Sequence, residues 1–89
     1  MNVKYKIGEW IVFTDKKTSD KWKQYHETFL YGKVGKIIVI ASDSWPYLIE
    51  FKEFIDGHSG YGKDGHCRWC RSKEIISLDQ LKLKKLLEG

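Results

Sequence analysis

Eighty-nine residues fit a single domain and leave no room for a second core. A domain this short needs most of its large apolar side chains for packing, and four Trp, five Tyr and four Phe supply that area at low rotamer cost. A pocket deep enough to enclose a substrate would take core away, so no catalytic residues, no cofactor and no small-molecule substrate are expected. The formal charge of +4, from 16 Lys and Arg against 12 Asp and Glu, is spread along the chain, which argues against a protein that mimics DNA by displaying acid.

Residues 1–6 are polar and no apolar leader segment follows, so no secretory signal is expected. No run approaches the roughly 20 apolar residues that span a bilayer, and the expected location is the reducing cytoplasm. Residues 7–13 read as a strand; if Ile11 and Phe13 face inward, Trp10 and Val12 face the other side. Residues 14–24 are polar and Lys-rich and read as a loop, after which Tyr25, Phe29, Leu30 and Tyr31 restore apolar character. Gly32, Lys33, Val34 and Gly35 form a turn, residues 36–41 a β-branched run, and Ser42, Asp43 and Ser44 the next turn. Residues 45–51 are a second strong strand, with Pro46 at its start, where a missing N–H does least harm. The runs 37–41 and 47–51 pair as a hairpin.

Residues 57–65 hold four glycines and form a long loop with several positive-φ positions. Residues 67–70 resume extended structure and 72–76 return to the sheet. The tail, 77–88, carries Ser77 or Asp79 as a helix cap, Lys in its middle and end, and Gly89 to close it, so a short helix is expected. Short strands at this spacing predict a mainly β chain folded as a five-stranded barrel over about residues 7–76 of one domain, 1–89, with an insertion at 14–31 and a short C-terminal helix.

Four pieces of this sequence resemble a known family: residues 8–13, the Gly-x-x-Gly-x-Ile turn at 32–37, the Trp-Pro-Tyr-Leu-Ile-Glu-Phe strand at 45–51, and the Gly-His-Ser-Gly-Tyr-Gly-Lys-Asp-Gly-His-Cys-Arg-Trp segment at 57–69. Together they are similar to the SH3-like domain of the Mind bomb/HERC2 type, a pattern also found in small stand-alone proteins of bacteria and their phages. The resemblance implies an SH3-like barrel and a protein-binding role. In the large ubiquitin ligases that carry the domain, it helps to recognise a substrate protein. This chain departs from the pattern in its long 14–31 loop, in Cys70 where an apolar residue is more usual, and in its Leu/Lys tail.

Several residue groups invite chemistry. His58, His66, Cys67 and Cys70 have the donors of a tetrahedral zinc site, which makes a small zinc-stabilised adaptor one reading. In a strand, however, Cys67 and Cys70 point to opposite faces, so no metal site is expected. Cys67 then is a small buried residue beside Trp69, and Cys70 faces outward or packs on the tail. A redox pair would need a helix after Cys67, and none is expected there. The 57–65 loop offers backbone N–H groups for an anion, with His58, Lys63 and His66 assisting, or is simply structural. Asp56, His58, Asp64 and His66 share that loop without forming a nucleophile, base and orienter.

The expected function is a non-enzymatic protein-binding module. Its contact surface is expected at Trp22 and Tyr25 of the insertion, His58, Tyr61 and Lys63 of the glycine-rich loop, and Trp45 and Tyr47. With the resemblance and the small size, its partner is expected to be a protein of the host cell, as for a phage-borne inhibitor of a host defence protein such as an anti-CRISPR. The alternative is a nucleic-acid-binding SH3-like barrel with Lys21, Lys23, Lys33, Lys63, Arg68 and Arg71 on phosphates and aromatic rings among Trp10, Trp22, Tyr25, Trp45, Tyr47 and Tyr61 stacking on bases.

Overall fold

The computed structural model describes residues 5–26, 28–42, 44–57 and 62–82. Five strands, β1 (Trp10–Phe13), β2 (Val34–Ile40), β3 (Tyr47–Phe51), β4 (Cys67–Cys70) and β5 (Ile75–Ser77), form one antiparallel sheet in the order β4-β3-β2-β1-β5. A helix, α1 (Lys16–His26), follows β1, and a 3-10 turn, Ser72–Glu74, joins β4 to β5. Residues 78–82 are helical, in keeping with the expected C-terminal helix, whose remaining residues, 83–88, lie outside the described residues.

Strand alternation sorts the side chains as β1 foretells: Ile11 and Phe13 are fully buried while Trp10 is exposed. The inner face collects Ile11, Phe13, Ile37, Tyr47, Ile49, Phe51, Cys70 and Ile75, and Tyr5, Leu30 and Ile55 complete the core. The outer face carries the cross-strand row Trp10, Lys36, Glu50 and Cys67. Gly35 stands between Ile11 and Phe51 on the inner face, where a Cβ would meet Ile49 Cγ2 at 2.5 Å and the Glu50 carbonyl at 3.0 Å. The hairpin of β2 and β3 forms as expected, and the Ala41 N–H closes it on the Pro46 carbonyl at 2.7 Å, just before β3 begins.

The largest departure from expectation is residues 14–24, which are helical over most of their length rather than a loop. Asp15 starts α1: its Oδ1 accepts the Thr18 N–H at 3.2 Å and its Oδ2 the Thr18 hydroxyl at 2.9 Å. These donors hold the Asp15 carboxyl below its ordinary value, the Thr18 backbone N–H contributing most. The helix is attached by polar groups in place of an aliphatic stripe. Ser19 is buried, and its Oγ accepts the N–H groups of Leu30 and Tyr31, each at 2.9 Å. Trp22 Nε1 donates to the Ile55 carbonyl at 2.9 Å, and its ring stacks on His26 at 3.7 Å. His26 in turn meets Asp56 at 3.2 Å. Ser19, Trp22 and His26 share one helical face, and the remaining Lys, Asp and Gln side chains stay in water.

Candidate binding surfaces

The insertion displays three large aromatic rings. Tyr25 on α1 is 81% exposed, and Phe29 and Tyr31 in the following segment are 51% and 55% exposed. Lys23 Nζ lies 4.1 Å over the Phe29 ring. The backbone presenting these rings is fixed, because Ser19 holds the N–H groups of Leu30 and Tyr31 and Thr28 Oγ1 donates to the Ile55 carbonyl at 2.8 Å. Tyr25 was legible in the sequence. Phe29 and Tyr31 were not assigned to the surface, although an apolar run directly after a polar segment is the signal that marks them.

The other expected contact residues divide. Trp45 is 39% exposed, with the Arg71 guanidinium 4.2 Å and the Arg68 guanidinium 5.5 Å from its ring centroid. Lys63 is exposed, and its backbone N–H donates to Glu50 Oε1 at 2.8 Å. Trp22 is half-buried and is the anchor of α1. Tyr47 corrects the expectation: it is a core residue, its ring edge-on to Tyr5 at 5.4 Å, so it offers nothing to a partner. His58 and Tyr61 lie outside the described residues.

The expected phosphate contacts are also rearranged. Arg68 turns to the inner face of β4 opposite Ile49 and is buried, so it is no phosphate ligand. Its guanidinium sits 5.2 to 5.5 Å from the rings of Phe13, Trp22 and Trp45. Its NH1 is 3.5 Å from Glu74 Oε1, a carboxylate with no exposed surface. Arg71 serves the same carboxylate, through its N–H at 2.8 Å and its guanidinium at 3.5 Å. Lys33 is paired with Glu53 at 3.2 Å. Lys21 and Lys23 remain exposed on α1 and Lys63 on the glycine-rich loop.

Cys67 and Cys70 lie on opposite faces of the sheet. Cys70 corrects the expectation that it faces outward or packs on the tail: it is fully buried in the core, where burial pushes its thiol up to about 12. Cys67 is buried on the outer side, where a Cβ on Gly62 would approach its Sγ to 2.9 Å. Burial, and secondarily the Glu50 carboxylate, raises its thiol pKa as well. Both free thiols are therefore poor nucleophiles near neutral pH. Among the described residues no group of three His, Cys, Asp or Glu side chains is placed to hold a metal ion.

Two of the loop's acid/base residues, Asp56 and His66, have other partners, and His58 lies outside the described residues. Asp56 faces His26, and His66 is buried with Nδ1 3.0 Å from the Phe51 carbonyl. Since a carbonyl only accepts, His66 donates there from Nδ1. The described part of the loop is internally bonded: Ile55 and Gly57 both donate to the Gly65 carbonyl, and His66 donates to that of Lys63. Gly62 and Gly65 have φ of +62° and +78°, the positive values expected of this segment. Among the described residues no helix is long and apolar enough to cross a membrane. Compared with protein-family models, curated proteins and solved structures, the chain matches none.

Proposed function

We propose that this chain is a small SH3-like barrel acting as a non-enzymatic protein-binding module, with α1 and the segment after it as the contact surface. The barrel reading is supported by chain reach. The edges of a flat five-stranded sheet lie about 19 Å apart at about 4.8 Å per strand. Cys70 on one edge strand and Ile75 on the other are five residues apart, and five residues reach at most about 17 Å. The 3-10 turn between them, rising about 2 Å per residue, shortens that further. A short link between the two edge strands favours a sheet that curls its edges toward each other, as a barrel requires. The resemblance of residues 57–69 to the Mind bomb/HERC2 type points the same way.

The exposure of Tyr25, Phe29 and Tyr31 carries the binding reading. A domain this small leaves little apolar area to spare, yet it places three large rings on a surface segment whose residues 28, 30 and 31 are hydrogen-bonded to the rest of the fold. Aromatic side chains held in this way are the usual anchors of protein interfaces. A host defence protein is one partner such a surface would suit, a suggestion that rests on the resemblance and the small size.

The test is retention of a protein on the tagged chain after nuclease treatment. A partner held stoichiometrically by the native chain and weakened roughly 30-fold, about 2 kcal/mol, by Tyr25→Ser with Phe29→Ser supports the proposal. Retention that is unchanged by those substitutions, or that is lost altogether on nuclease treatment, contradicts it.

A further inference from the structure

A second surface lies on the outer face of the sheet, away from the core side on which α1 is anchored. Trp10, Lys36 and Glu50 are cross-strand neighbours there. Trp10 is 40% exposed, with Lys36 Nζ 5.5 Å and Lys52 Nζ 5.0 Å from its ring centroid. Lys63 and His66 close the other side of a cleft of about 200 Å3. The Lys36 and Lys52 ammonium groups thus stand beside Trp10, Lys63 lines the same cleft, and the carboxylate that lines it among the described residues, Glu50, already accepts the Lys63 N–H. Its lining combines positive charge with a partly exposed indole.

We propose that this cleft binds single-stranded nucleic acid, one base lying on Trp10 and the flanking phosphates on Lys36, Lys52 and Lys63. An unstacked base offers the π-face that an exposed indole takes up whatever the sequence. Phosphate is favoured over carboxylate by the indole beside the lysines, because a base carried between two phosphates supplies the flat ring that Trp10 can stack on. Lysines hold phosphates as point charges in any orientation. The two arginines of β4 and its following turn, Arg68 and Arg71, are already committed to Glu74.

The full chain is titrated into a fluorescently labelled twelve-nucleotide oligothymidylate, and separately into a labelled twelve-residue polyglutamate, with anisotropy read across a salt series. The oligonucleotide is expected to bind, with a log–log salt slope near −2 for three phosphate contacts at about −0.7 each. Lys36→Gln and Lys52→Gln each reduce the magnitude of that slope by about 0.7. Trp10→Ala weakens binding roughly 5- to 150-fold at every salt concentration and leaves the slope unchanged. Trp10→Phe keeps most of the affinity, which separates stacking from a folding defect, and circular dichroism of each variant checks the fold. Lys16→Gln with Lys17→Gln, on α1, changes neither affinity nor slope. Absence of oligonucleotide binding at low salt, indifference to Lys36→Gln and Lys52→Gln, or polyglutamate binding as tightly with the same dependence on Trp10 each overturns the proposal.

Discussion

Glu74→Ala is the substitution that most directly probes how this small domain is held together. Glu74 has no exposed surface and is the carboxylate that faces the buried Arg68 guanidinium among the described residues. Removing it leaves Arg68 charged, walled in by Phe13, Trp22 and Trp45, with no anion. Breaking a buried pair in this way costs about 3–5 kcal/mol. A chain of 89 residues has a total stability of about 4–13 kcal/mol at 0.05–0.15 kcal/mol per residue. The melting temperature should therefore fall by about 12 °C or more, taking at least 4 °C per kcal/mol.

The partner substitution is not equivalent. Arg68→Met leaves Glu74 with the Arg71 N–H and guanidinium, so it is expected to cost less than Glu74→Ala. Removing both charges, as Arg68→Met with Glu74→Leu, should recover about 2 kcal/mol or more relative to Glu74→Ala, because the buried Arg68 guanidinium goes with its partner, while Arg71 loses Glu74 equally in both variants. Urea unfolding followed by tryptophan fluorescence measures all three variants against the native chain. If Glu74→Ala lies within about 1 kcal/mol of the native chain, or the double variant is no more stable than Glu74→Ala, the pair does not do what the geometry implies.

Three further outcomes follow from single features. The Cys70 thiol is raised from 9.0 to about 12 in the fold. The unfolded chain therefore loses this proton first, and stability falls as pH rises above about 9, by up to about 1.4 kcal/mol per pH unit from this group; Cys70→Ala should remove that part of the slope in alkaline urea titrations. Ser19→Ala leaves the N–H groups of Leu30 and Tyr31 without their acceptor, which should cost about 1–3 kcal/mol and speed hydrogen exchange at both amides. Gly57→Ala drives a Cβ into the Cys67 carbonyl, a backbone atom that cannot swing aside; thermal melts should show a loss of about 1–3 kcal/mol, and full native stability would mean that the loop does not pass so close to β4.

The sheet was legible because its signals are local. Alternation at Ile11 and Phe13, the β-branched run before a polar turn, Pro46 at the head of a strand and glycines where φ is positive each act within a few residues. Helix α1 was hidden because tertiary polar contacts hold it. Ser19, Trp22 and His26 carry its inward face, and no periodicity search for aliphatic residues would find them. Asp15 with Thr18 three residues on, followed by a stretch free of Gly and Pro through His26, was the readable sign of a helix start.

The candidate sites were less legible for a related reason. Arg68 and Tyr47 read as surface groups until strand register turns both inward. Lys36 and Lys52 gain their meaning from Trp10, which is brought beside them by the pairing of β1 with β2 and the path of the chain after β3.

The α1 surface is tested most directly by placing a photo-crosslinking benzoylphenylalanine at position 25 of the chain, in cells that produce it, with the same probe at Lys82 as control. The expected result is one discrete protein adduct from position 25 that survives nuclease, is lost when Phe29→Ser is added, and is missing from the control. No adduct at position 25, or the same adducts from both positions, would contradict a protein partner docked on Tyr25 and Phe29.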